Sequence, residues 1–284
     1  MLVIVGFIVV IVSILGGFMI AGGNPILLLQ FAEFIVIGGS AIGSVLIAAP
    51  MKLIKKIMSE LPKTIKQEHY SKEDFLVLLK SYNDLFLVAQ RDGLLAIERH
   101  IEKPEESEIL SRSKKFITNE TTRSFFCDSM KVMLSGGIPP HELESLMEAE
   151  IETFDMESKP VAGQISKMGD SLPGLGIVAA VLGIIVTMSS IDDGAAAVGK
   201  HVAAALVGTF LGVLMAYGFV NPLAANIEHN VEARVRLLET IKTCITAYAK
   251  GNPPIVAVEI ARRTIFSDER PTFAELEGFI RAKS

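Results

Sequence analysis

The two most distinctive stretches of this chain are notable for the chemistry they lack. Leu172–Ser190 and Val202–Pro222 contain no acidic or basic side chain. They carry small residues in register instead. Ala204, Gly208, Gly212 and Ala216 recur at four-residue steps, and Gly176, Ala179, Ala180 and Gly183 mark a matching face. Small residues at helical spacing let helices approach closely. A single such face implies internal packing. Two of them, with Pro173 and Pro222 at one end of the pair, imply a surface that accepts a further helix. An ion path within a bilayer needs an ionisable group, so the titrating carboxylate would come from a partner. Glu33 stands at the edge of another apolar segment; such an acid is ordinarily solvated, the alternative being an ion entrance.

The remaining reactive residues form no enzyme site. His69, His100, His141, His201 and His229 have no metal-ligand spacing with one another or with Cys127 and Cys244. His141-Glu142 lacks the second histidine of a zinc motif, and no glycine-rich loop joins a strand to a helix. No catalytic residue, metal or cofactor is expected. The acidic run over 141–156 reads as a solvated helix face. A net charge of −5 gives no reason to expect nucleic acid.

The elements that position these residues are membrane helices. The chain has 284 residues, half of them hydrophobic, with a mean hydropathy of +0.45. That is too apolar for a soluble protein of this size. A bilayer core of about 30 Å needs about 20 apolar residues of helix. Leu2–Ile20, Phe34–Pro50, Leu172–Ser190 and Val202–Pro222 meet that requirement. Their continuous apolar runs exclude the alternation of a β-barrel. Of the 27 Lys and Arg residues, 17 lie in 51–168 and nine in 224–284, while the remaining one is Lys200. The positive-inside rule then places the large middle block, the tail and both termini in the cytoplasm. Leu2–Ile20 follows Met1 with no basic n-region and reads as a retained helix. Both cysteines fall on the cytoplasmic side and are expected as reduced thiols.

The outer loop carries the turn AGGNP at Ala21–Pro25, and Gly39 and Gly43 on the second span suggest packing within the subunit. Met51–Leu61 is a basic amphipathic helix suited to an anionic leaflet, and Pro62 is expected to break it. Ser71 opens a helix with an acidic first turn, with Phe75, Leu78, Leu79, Tyr82, Leu85 and Phe86 on one face, and Gly93 interrupts it. Helices are predicted over Leu94–Ile101, Glu108–Ser135 and His141–Met156, punctuated by Pro104, by Gly136-Gly137 and by Pro139-Pro140. Ala225–Ala249 reads as a helical extension of the fourth span, closed by Gly251-Asn252-Pro253-Pro254. The fold class is therefore all-α: a polytopic membrane protein with four transmembrane helices and a helical cytoplasmic domain. The divisions are 1–50 for the first hairpin, 51–168 for the cytoplasmic block, 169–223 for the third and fourth spans, and 224–284 for the extension and tail.

Five ordered blocks carry a family resemblance. They are the first hairpin with its GG turn, ERHIEKPEESEI at 98–109, GDSLPGLGIVAAVLGI at 169–184, VGTFLGVLMAYGFVNPLA at 207–224 and PPIVAVEIARRTIFSDERPTFAELE at 253–277. From end to end the chain resembles the MotA flagellar stator subunits of the MotA/TolQ/ExbB proton channel family. The resemblance implies a homopentamer around two copies of MotB, which supplies the membrane aspartate. It also implies a cytoplasmic domain that pushes on the rotor protein FliG, and residence in the bacterial inner membrane. It implies that Pro173 and Pro222 are the family's functional prolines, acting as hinge or gate, where position alone suggests helix stops. Thr209 and Asp170 would lie on the ion path and at its cytoplasmic exit. Glu98 matches the rotor-contacting acid. The arginine that precedes it in the family falls at or next to Arg91, beside Gln90 in AQRDG, and Arg99 is a further candidate. Ala180 stands where sodium-driven relatives carry threonine, which points to protons as the coupling ion. The alternative is an ExbB/TolQ-like energiser of outer-membrane transport, but those proteins resemble a three-span topology without this first hairpin or the ERHIEKP block.

Overall fold

The computed structural model describes residues 2–66, 70–189, 192 and 194–282. Ser190, the end of one predicted span, and His69 lie outside them. Twelve α-helices and no strand occur among the described residues: α1 Leu2–Ile20, α2 Phe31–Ala48, α3 Met51–Lys66, α4 Lys72–Asp92, α5 Glu98–Glu102, α6 Lys114–Thr118, α7 Glu120–Ser135, α8 Pro140–Ser189, α9 Ala195–Leu214, α10 Asn221–Ala249, α11 Pro254–Arg262 and α12 Phe273–Arg281. Among the described residues, four stretches are long and apolar enough to cross a membrane: α1, 25–48, the second half of α8, and α9 running on into α10. Two compact units result. One holds Met1–Glu68 and Glu157–Asn230, the other His69–Met156 and Val231–Ser284.

In the first unit, α1 buries no residue, and Phe7 meets Phe219 edge-on at 5.2 Å. The α2 helix turns Glu33, Ile37 and Ala41 inward. The expected packing at Gly39 and Gly43 is absent: a Cβ added at either meets nothing within 4 Å. Ile37 and Ala41 join Leu172, Ala179, Val207, Leu211 and Ala216 in a cluster of aliphatic and alanine side chains. Below it, Val161, Ala162, Ile165, Ala224 and Ile227 form a second cluster, onto which α3 lays Leu53, Ile57 and Leu61. Lys52 and Lys56 both reach Glu157, at 3.1 and 3.5 Å.

Pro62 does not break α3, which continues to Lys66. A proline removes one hydrogen bond to the carbonyl four residues back, and here that carbonyl belongs to Met58, which is largely exposed. Water satisfies an exposed carbonyl, so the helix continues at small cost.

In the second unit, Ser71 caps α4 through a reciprocal pair with Asp74, and Gly93 ends it at φ +91°. The aromatic core is dense: Tyr82 stacks on Phe126 at 4.3 Å, Phe116 meets both edge-on, and Phe86 stacks on Tyr248 at 4.1 Å. The helix expected over Glu108–Ser135 is broken twice. After a 3-10 turn at Leu110–Arg112 the chain restarts at Lys114 and again at Glu120, where Asn119 accepts the Thr122 amide as an N-cap. The predicted Leu94–Ile101 helix is a 3-10 turn followed by the single turn of α5. Gly136 and Gly137, at φ +70° and +82°, end α7, and α8 starts at Pro140 and runs on well past Met156. The acidic face of α8 is partly paired: Glu148 meets Lys242, which also binds Glu239 at 2.8 Å, and Glu144 meets Lys250 at 2.8 Å. Both cysteines are buried free thiols. Burial pushes Cys127 up to about 11 and raises Cys244 as well, so neither is a ready nucleophile.

Candidate functional site

The two small-residue faces meet each other. A Cβ on Gly212 would lie 2.6 Å from the Leu172 carbonyl oxygen and 2.9 Å from the Gly176 Cα. One on Gly176 would lie 2.8 Å from the Gly208 carbonyl oxygen, and one on Gly183 would lie 2.9 Å from the Ala205 Cβ. The α8–α9 seam is therefore closed along several turns by backbone touching backbone. The expectation that these faces await a further helix is overturned, because each is the other's occupant. What stays open on α8 is its larger apolar face, with Ile177, Val178, Val181, Ile184 and Ile185 exposed.

Ala180 and Thr209 fall within about one turn of each other along this seam. The Ala180 backbone nitrogen is 3.2 Å from where a Gly208 Cβ would sit, and the Thr209 Cα is 3.3 Å from where a Gly176 Cβ would sit. Both residues are half-buried. Glu33 reaches the same level: its Oε2 is 2.8 Å from the Gly208 Cβ position, and the residue is only 8% exposed. Its default reading as a solvated surface acid is overturned. The sequence placed Glu33 at a helix edge, and only the packing of α2 on α9 turns it inward.

Neither Pro173 nor Pro222 stops a helix. Pro173 sits inside the unbroken α8, where it deprives the Gly169 carbonyl of its usual donor. Pro222 follows a π-turn at Met215–Val220, in which the Asn221 amide reaches back to the Ala216 carbonyl. Such wide turns accommodate helix irregularities and are frequent at functional sites. Asp170 lies on the side of Pro173 away from the spanning half of α8 and accepts a hydrogen bond from Asn221 Nδ2 at 3.0 Å. Thus Asp170, Pro173 and Ala180 line one helix, while Thr209 and Pro222 line the segment packed against it.

The second unit carries another group. After Gly93 the 3-10 turn at Leu94–Ile97 packs on α4 and leads into α5, and Gln90, Arg91, Glu98 and Arg99 are all exposed. Arg91 clamps its neighbour Asp92 through two bonds of 2.9 and 2.7 Å, which holds the Asp92 carboxyl below its usual range. Arg99 touches His100 Nε2 at 3.3 Å. His100 is buried, and its Nδ1 lies 2.8 Å from Ser107 Oγ, which also accepts the Ile109 and Leu110 amides. Among the described residues, no group of three His, Cys, Asp or Glu side chains forms a metal cluster.

Comparison with known proteins agrees with this layout. Residues 4–93 match the family model for the motility protein A N-terminal region, and residues 117–240 match that of the MotA/TolQ/ExbB proton channel family. Motility protein A of Salmonella typhimurium is 37% identical over 282 residues, covering 99% of this chain and 96% of that one. The chain superposes on the structure of C. jejuni MotAB with a TM-score of 0.80 at 22% identity, covering 95% of this chain and 98% of that one. The flagellar MotAB stator complex of Bacillus subtilis gives 0.74 at 24% identity, covering 90% and 92%. This chain belongs to the MotA/TolQ/ExbB proton channel family, and within it to the motility protein A proteins.

Proposed function

We infer that this chain is the flagellar stator subunit that acts with MotB, coupling ion flow across the inner membrane to torque for swimming. It is a non-enzymatic, multi-pass membrane protein. The observation that carries the reading is the α8–α9 seam: a tightly closed, charge-free helix pair with an exposed apolar face, bounded by two prolines that interrupt hydrogen bonding without ending their helices. Such a pair is a wall for an ion path, and the proton-carrying carboxylate belongs to MotB. The match of residues 4–93 to the motility protein A N-terminal model favours this reading over an outer-membrane transport energiser.

Several finer points extend that reading. Protons are the coupling ion, since Ala180 offers no side-chain oxygen to sodium. Thr209 and buried Glu33 supply polar groups at the level where the path passes Gly208. Pro173 and Pro222 are the hinges, and Asp170 marks the cytoplasmic exit. Five copies surround two of MotB, both termini are cytoplasmic, and Arg91, Glu98 and Arg99 meet FliG. Of these, Glu98 and Arg99 are the better rotor contacts, because Arg91 is already engaged with Asp92 at 2.7 Å.

Deletion of the gene, scored for swimming and for iron-siderophore uptake, tests the reading. Swimming is lost and uptake retained; intact swimming with failed uptake would overturn it. Speed should follow proton motive force and ignore sodium at fixed pH.

A further inference from the structure

Asp170 and Asn221 stand in matching places: the first lies just ahead of Pro173, the second immediately before Pro222. The Asn221 amide spans the gap and donates to the Asp170 carboxylate at 3.0 Å. The amide orientation follows from that partner, since the reverse would set oxygen against carboxylate. Asn221 Oδ1 is then left buried with no hydrogen-bond partner. It rests against Gly169, where a Cβ would collide with it, and Val220 Cγ1 walls the other side at 3.2 Å from that point. Gly169 is thus the residue that makes room for the asparagine. Its own carbonyl is the one Pro173 deprives of a donor.

A buried polar atom without a partner is costly, so it is retained where geometry demands it. Here the geometry is a tie between the two proline-bearing segments at one end of the seam. We propose that Asn221 is a positioning residue, which locks the Asp170 carboxylate to the α9–α10 joint so that the bends at Pro173 and Pro222 move together. This rests on the reading of Asp170 as the ion exit. Without the tie, the carboxylate at that exit is free to swing into solvent, and the two bends uncouple.

The test uses the full chain expressed with its partner subunit, scored for membrane abundance and for single-motor rotation speed at clamped cytoplasmic pH. Asn221→Ala should leave abundance unchanged and slow rotation several-fold. Asn221→Asp is isosteric and keeps the test valid even if the alanine variant folds poorly. It sets two carboxylates at hydrogen-bond distance, which need a shared proton to pair. Its rotation should be slow near neutral pH and should rise as the cytoplasm is acidified. The exchange D170N/N221D restores one donor and one acceptor and should regain most of the lost speed. Wild-type rotation in Asn221→Ala, pH-independent slowing in Asn221→Asp, or an exchange no faster than Asn221→Asp, each at normal abundance, would overturn the proposal. Those outcomes leave the gene-deletion phenotype intact, so they are distinct from failure of the stator reading, in which deletion itself leaves swimming unchanged.

Discussion

The two compact units are both helical, yet they hold together by opposite means. The membrane unit joins α8 to α9 by removing side chains, so that Gly176, Gly208 and Gly212 set backbone on backbone. The other unit fills its centre with large rings, with Tyr82, Phe116, Phe126 and Phe86 all at most 1% exposed. Water is the reason. Lipid is as apolar as leucine and gives no drive to bury it, so association in the bilayer relies on close van der Waals contact. In water, area removed from solvent stabilises at about 25 cal/mol per Å², and aromatic bulk supplies it.

That contrast can be broken at its strongest point. Gly212→Val should abolish accumulation of the assembled protein in the membrane, because its Cβ would meet the Leu172 carbonyl, which cannot retreat. Gly174→Ala, on the same proline-bearing helix but with nothing within 4 Å of its Cβ, should accumulate normally. Equal accumulation would show that volume at the seam is unimportant. In the aromatic unit the dangerous change is the reverse, large to small. Phe126→Ala should cost about 3–5 kcal/mol, read as faster protease cleavage within 70–156 while the spanning segments stay protected. A cost under about 1 kcal/mol would mean that the Tyr82 stack repacks freely.

The smallest expected effect separates the units by pH. Burial, then the nearby Arg99 charge, holds His100 below its ordinary value, with Glu108 opposing them. The unfolded chain therefore binds the proton first as pH falls. Stability from this group is full above about 6.5 and declines below it. The protection factors of the Ile109 and Leu110 amides, which the Ser107 hydroxyl tethers, should fall as the solution is acidified. His100→Gln should flatten that response, and an unchanged slope would discard the histidine as its source.

The features legible in the sequence were local ones. Ser71 with Asp74, Gly93 and Gly136-Gly137 each fix a helix end within a few residues, and each is found there. Asn119 ahead of Glu120 carried a cap signal too, but the apolar pattern from Phe116 to Leu134 masked it. Pro62 misled because the loss caused by a proline depends on whether water reaches the freed carbonyl. At the candidate site, the register of Gly176, Gly208 and Gly212 was readable while its occupant was not. Periodicity marks a face but cannot name what lies against it. The burial of Glu33 and the pairing of Asn221 stayed hidden for the same reason, since both arise from neighbours more than fifty positions away.

The wide turn at Met215–Val220 sets the phase of everything after it in the membrane unit. An α-helix advances about 100° per residue, and the π-turn inserts one residue's worth of rotation between the Gly208–Gly212 face and Ala224 with Ile227. Because of that offset, one continuous segment lines the seam with α8 above and buries Ala224 and Ile227 beside Val161 and Ile165 below. Shortening it by a single residue would keep every residue of the lower core, Ala224 and Ile227 included, yet turn them away from Val161 and Ile165.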